Sequence, residues 1–261
     1  MDLTGKTAIV TGGSKGMGLG IAKQFCDQGA NVVVCANDAV SLDEVERVIG
    51  CDRLITVLAD VSKQADMKML TEATVHAFGG VDVLVNAAGI QRYGTVIDTP
   101  EDTWDEVMNV NVKGIFLAAK YALPEINKRG GGSVINIASV QAYASQTNVA
   151  AYTASKGAIV ALTRAMALDH ADAGIRVNAI CPAAIDTPML RWAADLWKGD
   201  STAEATIEAW GKGHPIGRVG TVEEVAALAN FLATDYCKFM TGADIKLDGG
   251  MLSKLGIILP E

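Results

Sequence analysis

Tyr152 and Lys156 stand four residues apart, and Ser139 precedes the tyrosine by thirteen. On a helix, residues at i and i+4 share a face, so the phenol and the ammonium are neighbours if this segment is helical. A free phenol ionises near pH 10. To take a proton near pH 7 its pKa must fall by roughly 3, worth about 4 kcal/mol. A nearby ammonium moves it in that direction. Ser139 closes an apolar run and can donate a hydrogen bond to an oxygen on which charge develops. Together these groups suit proton transfer to or from the oxygen of a small organic molecule. Singly, each has a bland use. Tyr and Lys at i, i+4 are common on helices, Ser139 can be a turn residue, and Asn111 can satisfy backbone in a helix kink.

Such groups need a frame. Short apolar runs at 6–10, 31–36, 54–58, 81–85, 133–138, 175–180 and 243–247 read as buried strands. Between them lie amphipathic segments: Met17, Ile21, Ala22 and Phe25 repeat at helical spacing, and so do Val225, Leu228, Ala229 and Leu232. Alternating strands and helices predict an α/β fold, a parallel sheet covered by helices on both faces. At 261 residues the chain fits one domain, with no linker and no internal repeat. The longest irregular-looking stretch is 182–220, with Pro182, Pro188, Pro215, Trp192, Trp197 and Trp210. It is either a helical excursion with its own small core or, as insertions in α/β enzymes often are, a lid, placed at 188–215.

After the first strand comes Thr11-Gly12-Gly13-Ser14-Lys15-Gly16-Met17-Gly18, opening the first helix. Gly12 permits a tight turn, Gly16 lets backbone approach a pyrophosphate, and Gly18 lets the helix pack closely on the sheet. The helix N-terminus adds free N–H groups and a positive dipole end.

At this point the chain resembles the short-chain dehydrogenase/reductase family. The phosphate loop is similar to T-G-x(3)-G-x-G. Asn86-Ala87-Ala88-Gly89 resembles the N-A-G motif, Asn111 the mid-helix Asn, and Ser139 with Tyr152-x(3)-Lys156 the catalytic set; Asp248-Gly249-Gly250 closes the pattern. The resemblance implies a Rossmann-like, doubly wound, seven-stranded parallel sheet. It also implies interconversion of a secondary alcohol and a ketone, or a sugar hemiacetal and a lactone, with NAD(P). Asn111, Ser139, Tyr152 and Lys156 are then catalytic, with Asn111 anchoring a water that relays protons to Lys156. The cofactor-binding residues are Gly12, Ser14, Lys15, Gly16, Met17, Gly18, Asn37, Asp60, Val61, Asn86, Ala87, Gly89, Tyr152, Lys156, Pro182, Ile185 and Thr187. Asp60 can equally cap the helix that follows it. Two departures stand out: Pro182-Ala183 in place of Pro-Gly, and Ala138 before the catalytic serine.

The end of the second strand decides the dinucleotide. An acid there would favour NAD, but the position holds Ala36, followed by Asn37 and Asp38. Lys15 can pair with a 2′-phosphate, so the expectation leans to NADP, although no Arg follows the strand. For the substrate, Gln91, Arg92 and Tyr93 follow the fourth strand, and Gln141, Tyr143, Gln146 and Asn148 the fifth. Amides suit several hydroxyls, and Trp192 or Trp197 can stack on a sugar face. A sugar or polyol is expected, bound by Gln91, Arg92, Gln141, Gln146 and Trp192. Arg92 could instead hold the carboxylate of a keto acid, and an apolar or steroid ketone is a further alternative. A non-catalytic dinucleotide sensor would not need the Ser–Tyr–Lys set. An enoyl reductase would have a wider Tyr–Lys spacing.

Composition narrows the field further. The net charge of −8 comes without a basic cluster, against nucleic acid or an anionic membrane as partner. The five scattered cysteines and three separated histidines suggest neither disulfides nor a metal site. No signal pattern or membrane span is apparent, and a cytoplasmic location is expected. The apolar tail with Leu255, Ile257, Ile258 and Leu259 fits a subunit contact in a homotetramer or dimer, or a tail folded on its own subunit.

Overall fold

A computed structural model of the chain describes residues 1–255. Seven strands form one parallel sheet in the order β3-β2-β1-β4-β5-β6-β7. They are β1 Thr7–Thr11, β2 Asn31–Ala36, β3 Leu54–Leu58, β4 Val83–Asn86, β5 Gly132–Ile137, β6 Ile175–Pro182 and β7 Asp244–Leu247. Each matches one expected run. β1, β2 and β4–β6 are buried nearly throughout, which is why they read as continuous apolar segments.

Residues alternate between the two faces, and each face builds its own core. Ile9, Val33, Leu84, Val134 and Val177 meet α3 (Gln64–Phe78), α5 (Gly114–Lys128) and α6 (Ala150–Asp169). Ala8, Val32, Val85 and Ile135 meet α1 (Gly16–Asp27), α2 (Ala39–Ile49) and α9 (Val222–Ala233). Ile21 and Phe25, both expected on the buried stripe of α1, are 0% exposed. Burial of such side chains contributes about 1.5–3 kcal/mol each. α9 starts at a capping box in which Thr221 and Glu224 bond each other's backbone N–H.

The chain order reverses between β1 and β4, so the loops that leave these strands lie side by side. α4 (Glu101–Met108) runs into α5 through a widened π turn, Asn109–Lys113, which places Asn111 in the interior. The stretch 182–220 is more regular than its composition suggests. β6 continues to Pro182, and α7 (Pro188–Trp197) and α8 (Ala203–Gly211) follow. Thr187 caps α7 by accepting from the Leu190 N–H, and Pro188 occupies the first turn, where a missing N–H costs nothing. One of the prolines that made the stretch look irregular thus starts a helix. The tail residues Ile257, Ile258 and Leu259 lie outside the described residues. Among those described, no helix is long and apolar enough to cross a membrane, and no group of three or more His, Cys, Asp or Glu is placed to hold a metal.

Candidate active site

The Gly-rich turn is shaped by two contacts. Gly12 has φ +63°, and a Cβ on it would fall 2.6 Å from the Ala88 Cα, so the loop after β1 touches the loop after β4 backbone to backbone. A Cβ on Gly18 would sit 2.3 Å from the Gly12 carbonyl oxygen. Gly18 therefore lets α1 close on its own loop, not on the sheet as expected. Lys15 is the α1 N-cap and its side chain makes no capping bond, so the first N–H groups of the helix face outward without a side-chain partner. On the far side of this cradle, Thr187 comes within 3.3 Å of where a Gly16 Cβ would be. Replacing Gly12 with Ala is expected to cost more than about 2 kcal/mol in urea unfolding and at least tenfold in dinucleotide affinity, because neither backbone can retreat. A variant with normal stability and binding would show that the two loops move independently.

The other dinucleotide residues differ in their surroundings. Gly89 is open: a Cβ there would meet Asn111 Oδ1 at 3.5 Å and Lys156 Nζ at 3.8 Å. Val61 packs on Gly114 of α5. Asp60 is not the cap of α3; it closes a turn by accepting from the Ser62 N–H and hydroxyl at 2.9 and 2.7 Å. Burial opposes ionisation of Asp60, but the Ser62 bonds and Lys63 outweigh it and lower its pKa. Asn86 does not line the cleft. It is 2% exposed, and its amide donates to Asn136, which donates on to Thr163 of α6. Asn37 is exposed beyond β2. Lys15 Nζ lies 3.3 Å from Asp38, which also caps α2.

Tyr152 and Lys156 share the buried face of α6, at 9% and 4% exposure. The ammonium stands 5.2 Å from the tyrosine ring centre and donates to the Ile137 carbonyl at 2.9 Å. Burial pushes the phenol up to about 12, against a lowering hydrogen bond with Ser139, and Tyr93 adds to the rise. Burial pulls the lysine down to about 8. Ser139 is a turn residue, as one reading of the sequence has it. It caps a short turn by accepting from the Gln141 N–H at 3.1 Å, and its hydroxyl faces Tyr152 and the Pro182 carbonyl. Asn111 is wholly buried and fully engaged. Its amide NH₂ donates to the Ile90 carbonyl and to Ser155, and its oxygen accepts from the Ile90 N–H. Its side chain therefore ties the loop after β4 to the helix of Tyr152, and its oxygen keeps one acceptor position toward the open space at Gly89. Ala183 introduces no strain; Asn148 is the one non-glycine with positive φ among the described residues.

Beside this set lies a cleft of about 200 Å³, lined by Gly89, Ile90, Gln91, Arg92, Met189 and Trp192. Three of the five expected substrate residues meet here. Gln141 does not, because its amide oxygen holds Thr153, and Gln146 is exposed on the surface. Tyr143 turns the other way, to Asp244 of β7. Met189 was not foreseen; it is the second residue of α7, so recognition of the Thr187–Pro188 cap would have placed it. Arg92 is already paired with Glu106 through two bonds of 3.0 and 2.7 Å. The Gly-rich cradle, the uncapped helix end and the gap at Gly89 beside Lys156 fit an extended anionic dinucleotide.

The chain belongs to the short-chain dehydrogenase/reductase family, and it is an oxidoreductase of the kind that acts on alcohols. A family model described as enoyl-(acyl carrier protein) reductase matches residues 12–252. The chain is 39% identical over 250 residues to the 2-(R)-hydroxypropyl-CoM dehydrogenase of Xanthobacter autotrophicus, covering 94% of this chain and 97% of that one. It is 34% identical to the meso-2,3-butanediol dehydrogenase of Serratia marcescens, with 98% of each covered. Among solved structures, ligand-free aldohexose dehydrogenase of Thermoplasma acidophilum superposes with a TM-score of 0.92 at 36% identity, covering 99% of this chain and 98% of that one. The family generally uses NAD(P).

Proposed function

We propose that the protein interconverts a secondary alcohol and a ketone on a compact, hydroxylated substrate such as a sugar or polyol, with Tyr152 as acid and base. The observation that carries this reading is the convergence of Ser139, Tyr152 and Lys156 beside the opening at Gly89. When bound, the dinucleotide accepts or donates the hydride and, oxidised, brings a positive charge into the site. Tyr152 takes the alcohol proton or returns it to the ketone oxygen. Ser139 hydrogen-bonds the same oxygen and holds developing charge. Lys156 supplies the fixed cation that favours the phenolate, and it holds the nicotinamide ribose. Asn111 positions Ile90 and Ser155 around them. Gly12, Gly16, Gly18 and the α1 N-terminus hold the pyrophosphate.

Gln91 and Trp192 support a hydroxylated ligand: the amide pairs with hydroxyls and the indole covers a C–H face. The names of two relatives, an aldohexose and a butanediol dehydrogenase, agree with this class. A keto acid is less favoured, because a substrate carboxylate would have to displace Glu106 from Arg92. Enoyl reduction is less favoured by the Tyr–Lys spacing. The segment 188–215 serves as the lid. A screen at 340 nm of sugars, polyols, hydroxy acids and steroid alcohols with both dinucleotides tests the reading. Turnover confined to apolar ketones would remove the polar-substrate part, and no turnover with dinucleotide still bound would favour a sensor.

The preferred dinucleotide is NADP, held at its 2′-phosphate by Lys15. Asp38 shares that ammonium and keeps the preference modest. Lys15→Ala is expected to lower kcat/KM for NADP about tenfold and to leave NAD little changed. Equal losses with both would show that Lys15 does not read the 2′ position.

A further inference from the structure

We propose that Tyr93 determines substrate selectivity as the fixed half of an aromatic latch whose other half, Trp192 and Trp197, is carried by α7. The proposal rests on the reading that α7 and α8 form the lid.

Tyr93 is held on both sides. The next residue, Gly94, donates to the Asn148 carbonyl at 2.7 Å and accepts from the Ala150 N–H at 3.2 Å, which joins it to the start of α6. The preceding residue, Arg92, is tied to Glu106 of α4. α7 is held far less. It buries only Ala193 and Ala194, and its first turn depends on the Thr187 cap and an Arg191–Asp186 ion pair of 2.7 Å. Against this, both tryptophans reach Tyr93. The Trp192 ring centre is 5.7 Å away at a 31° tilt, and Trp197 meets the ring edge-on at 5.2 Å. These are attractive aromatic geometries, yet both indoles remain about half exposed, at 46% and 50%. They are large apolar groups spent on one partner and not on a core.

The latch stands at the cleft. Trp192 also lines it, opposite Gln91 and Arg92, which directly precede Tyr93 in the chain. Tyr93 lies close enough to Tyr152 to oppose its ionisation, so it borders the reacting centre as well as the lid. A ligand small enough to let the indoles reach Tyr93 is enclosed. A bulkier one holds the latch open and leaves quickly. Selectivity for compact alcohols then comes from the closing equilibrium, which two aromatic pairs shift by about tenfold or more.

Limited trypsin digestion reads the latch without any turnover, since Arg191 and Lys198 lie on α7 and just after it. In Tyr93→Ala, cleavage at these two sites is expected to accelerate about tenfold, while Tyr93→Phe, which keeps the ring, is cut at the wild-type rate. Trp197→Ala should behave like Tyr93→Ala, and the double variant should be no faster than either, which separates loss of the latch from general misfolding. With whichever four-carbon diol or hexose the wild type oxidises, Tyr93→Ala should raise KM about tenfold with kcat within about threefold. It should also narrow the gap in kcat/KM between that substrate and the bulkier 1-phenylethanol. Unchanged cleavage in both alanine variants would overturn the latch. Faster cleavage with unchanged KM and unchanged discrimination would overturn its role in selectivity. If the wild type oxidised no alcohol, the reading of its function would fail, and the digestion alone would decide the latch.

Discussion

Tyr152→Phe is expected to lower kcat by about 10³-fold while dinucleotide affinity stays within about threefold. The ring remains, so packing on the buried face of α6 is kept; only the oxygen that carries the proton is lost. General acid–base groups contribute about 10²–10⁴ in rate, and the loss lies well above the lower end because the phenol is buried and water cannot easily substitute for it. The structure also raises the demand on this residue. From the free phenol, work near pH 7 requires about 4 kcal/mol; from a buried phenol at about 12 it requires about 7 kcal/mol. The Lys156 ammonium, 5.2 Å from the ring centre, supplies part of it. The remainder must come from the Ser139 bond and from the positive charge of the oxidised dinucleotide. Tyr152 should therefore titrate near 12 in the protein alone, as read by tyrosinate absorbance, and lower in the oxidised complex. A normal rate in the Phe variant would remove Tyr152 from the chemistry.

Lys156→Met is expected to abolish most activity and yet make the cofactor-free protein more stable at pH 7. Burial lowers the lysine from 10.5 to about 8. Below pH 8 it is charged in both folded and unfolded chains, and the folded state carries the full cost of burying that charge, about 3 kcal/mol. Between pH 8 and 10.5 the folded protein releases the proton first, so wild-type stability rises with pH through that window. Methionine is similar in length and carries no charge. Its cost is the lost bond to the Ile137 carbonyl, about 1–2 kcal/mol. The variant should gain about 1–2 kcal/mol at pH 7, a few degrees in Tm, and the advantage should shrink above pH 8, reverse at pH ~9 and be fully inverted by pH 10.5. Tyr152 acts the opposite way only above pH 10, where the unfolded phenol ionises before the folded one. Comparing calorimetric scans of the two proteins across pH isolates the lysine, since every other group is common to both. A gap that does not change with pH would mean that Lys156 is not the strained group.

Much of the frame was legible because its physics is local. A parallel strand covered on both faces must be apolar at successive positions, and β1, β2 and β4–β6 announce themselves in this way. A phosphate loop needs glycines where backbones touch, and Gly12 and Gly18 touch at 2.6 and 2.3 Å when given a Cβ. What could not be read is what depends on distance in space. Gln141 and Gln146 follow β5 as expected, but the short turn capped by Ser139 aims the first at Thr153 and leaves the second in solvent. Arg92 was foreseen in the cleft, but its partner Glu106 lies on another element, fourteen residues on, and nothing local announces the pairing. Asn111 was legible as special, but its tie between Ile90 and Ser155 joins three separate elements and could not be read from its neighbours. The stretch 182–220 could be read only as an irregular-looking excursion, helical or lid-like, and not as two bounded helices, because threonine followed by proline is as good a helix start as it is a loop.

No residue of α7 or α8 belongs to either core. Mutations there are spared the stability tax that falls on Gly12, Lys156 or the strand interiors. If this segment closes on the ligand as proposed, the part that meets the variable end of a ligand is nearly decoupled from the part proposed to perform the chemistry. A lineage built on this plan can exchange one alcohol for another by drift within some thirty residues, without re-evolving its proton transfer or its hold on the dinucleotide.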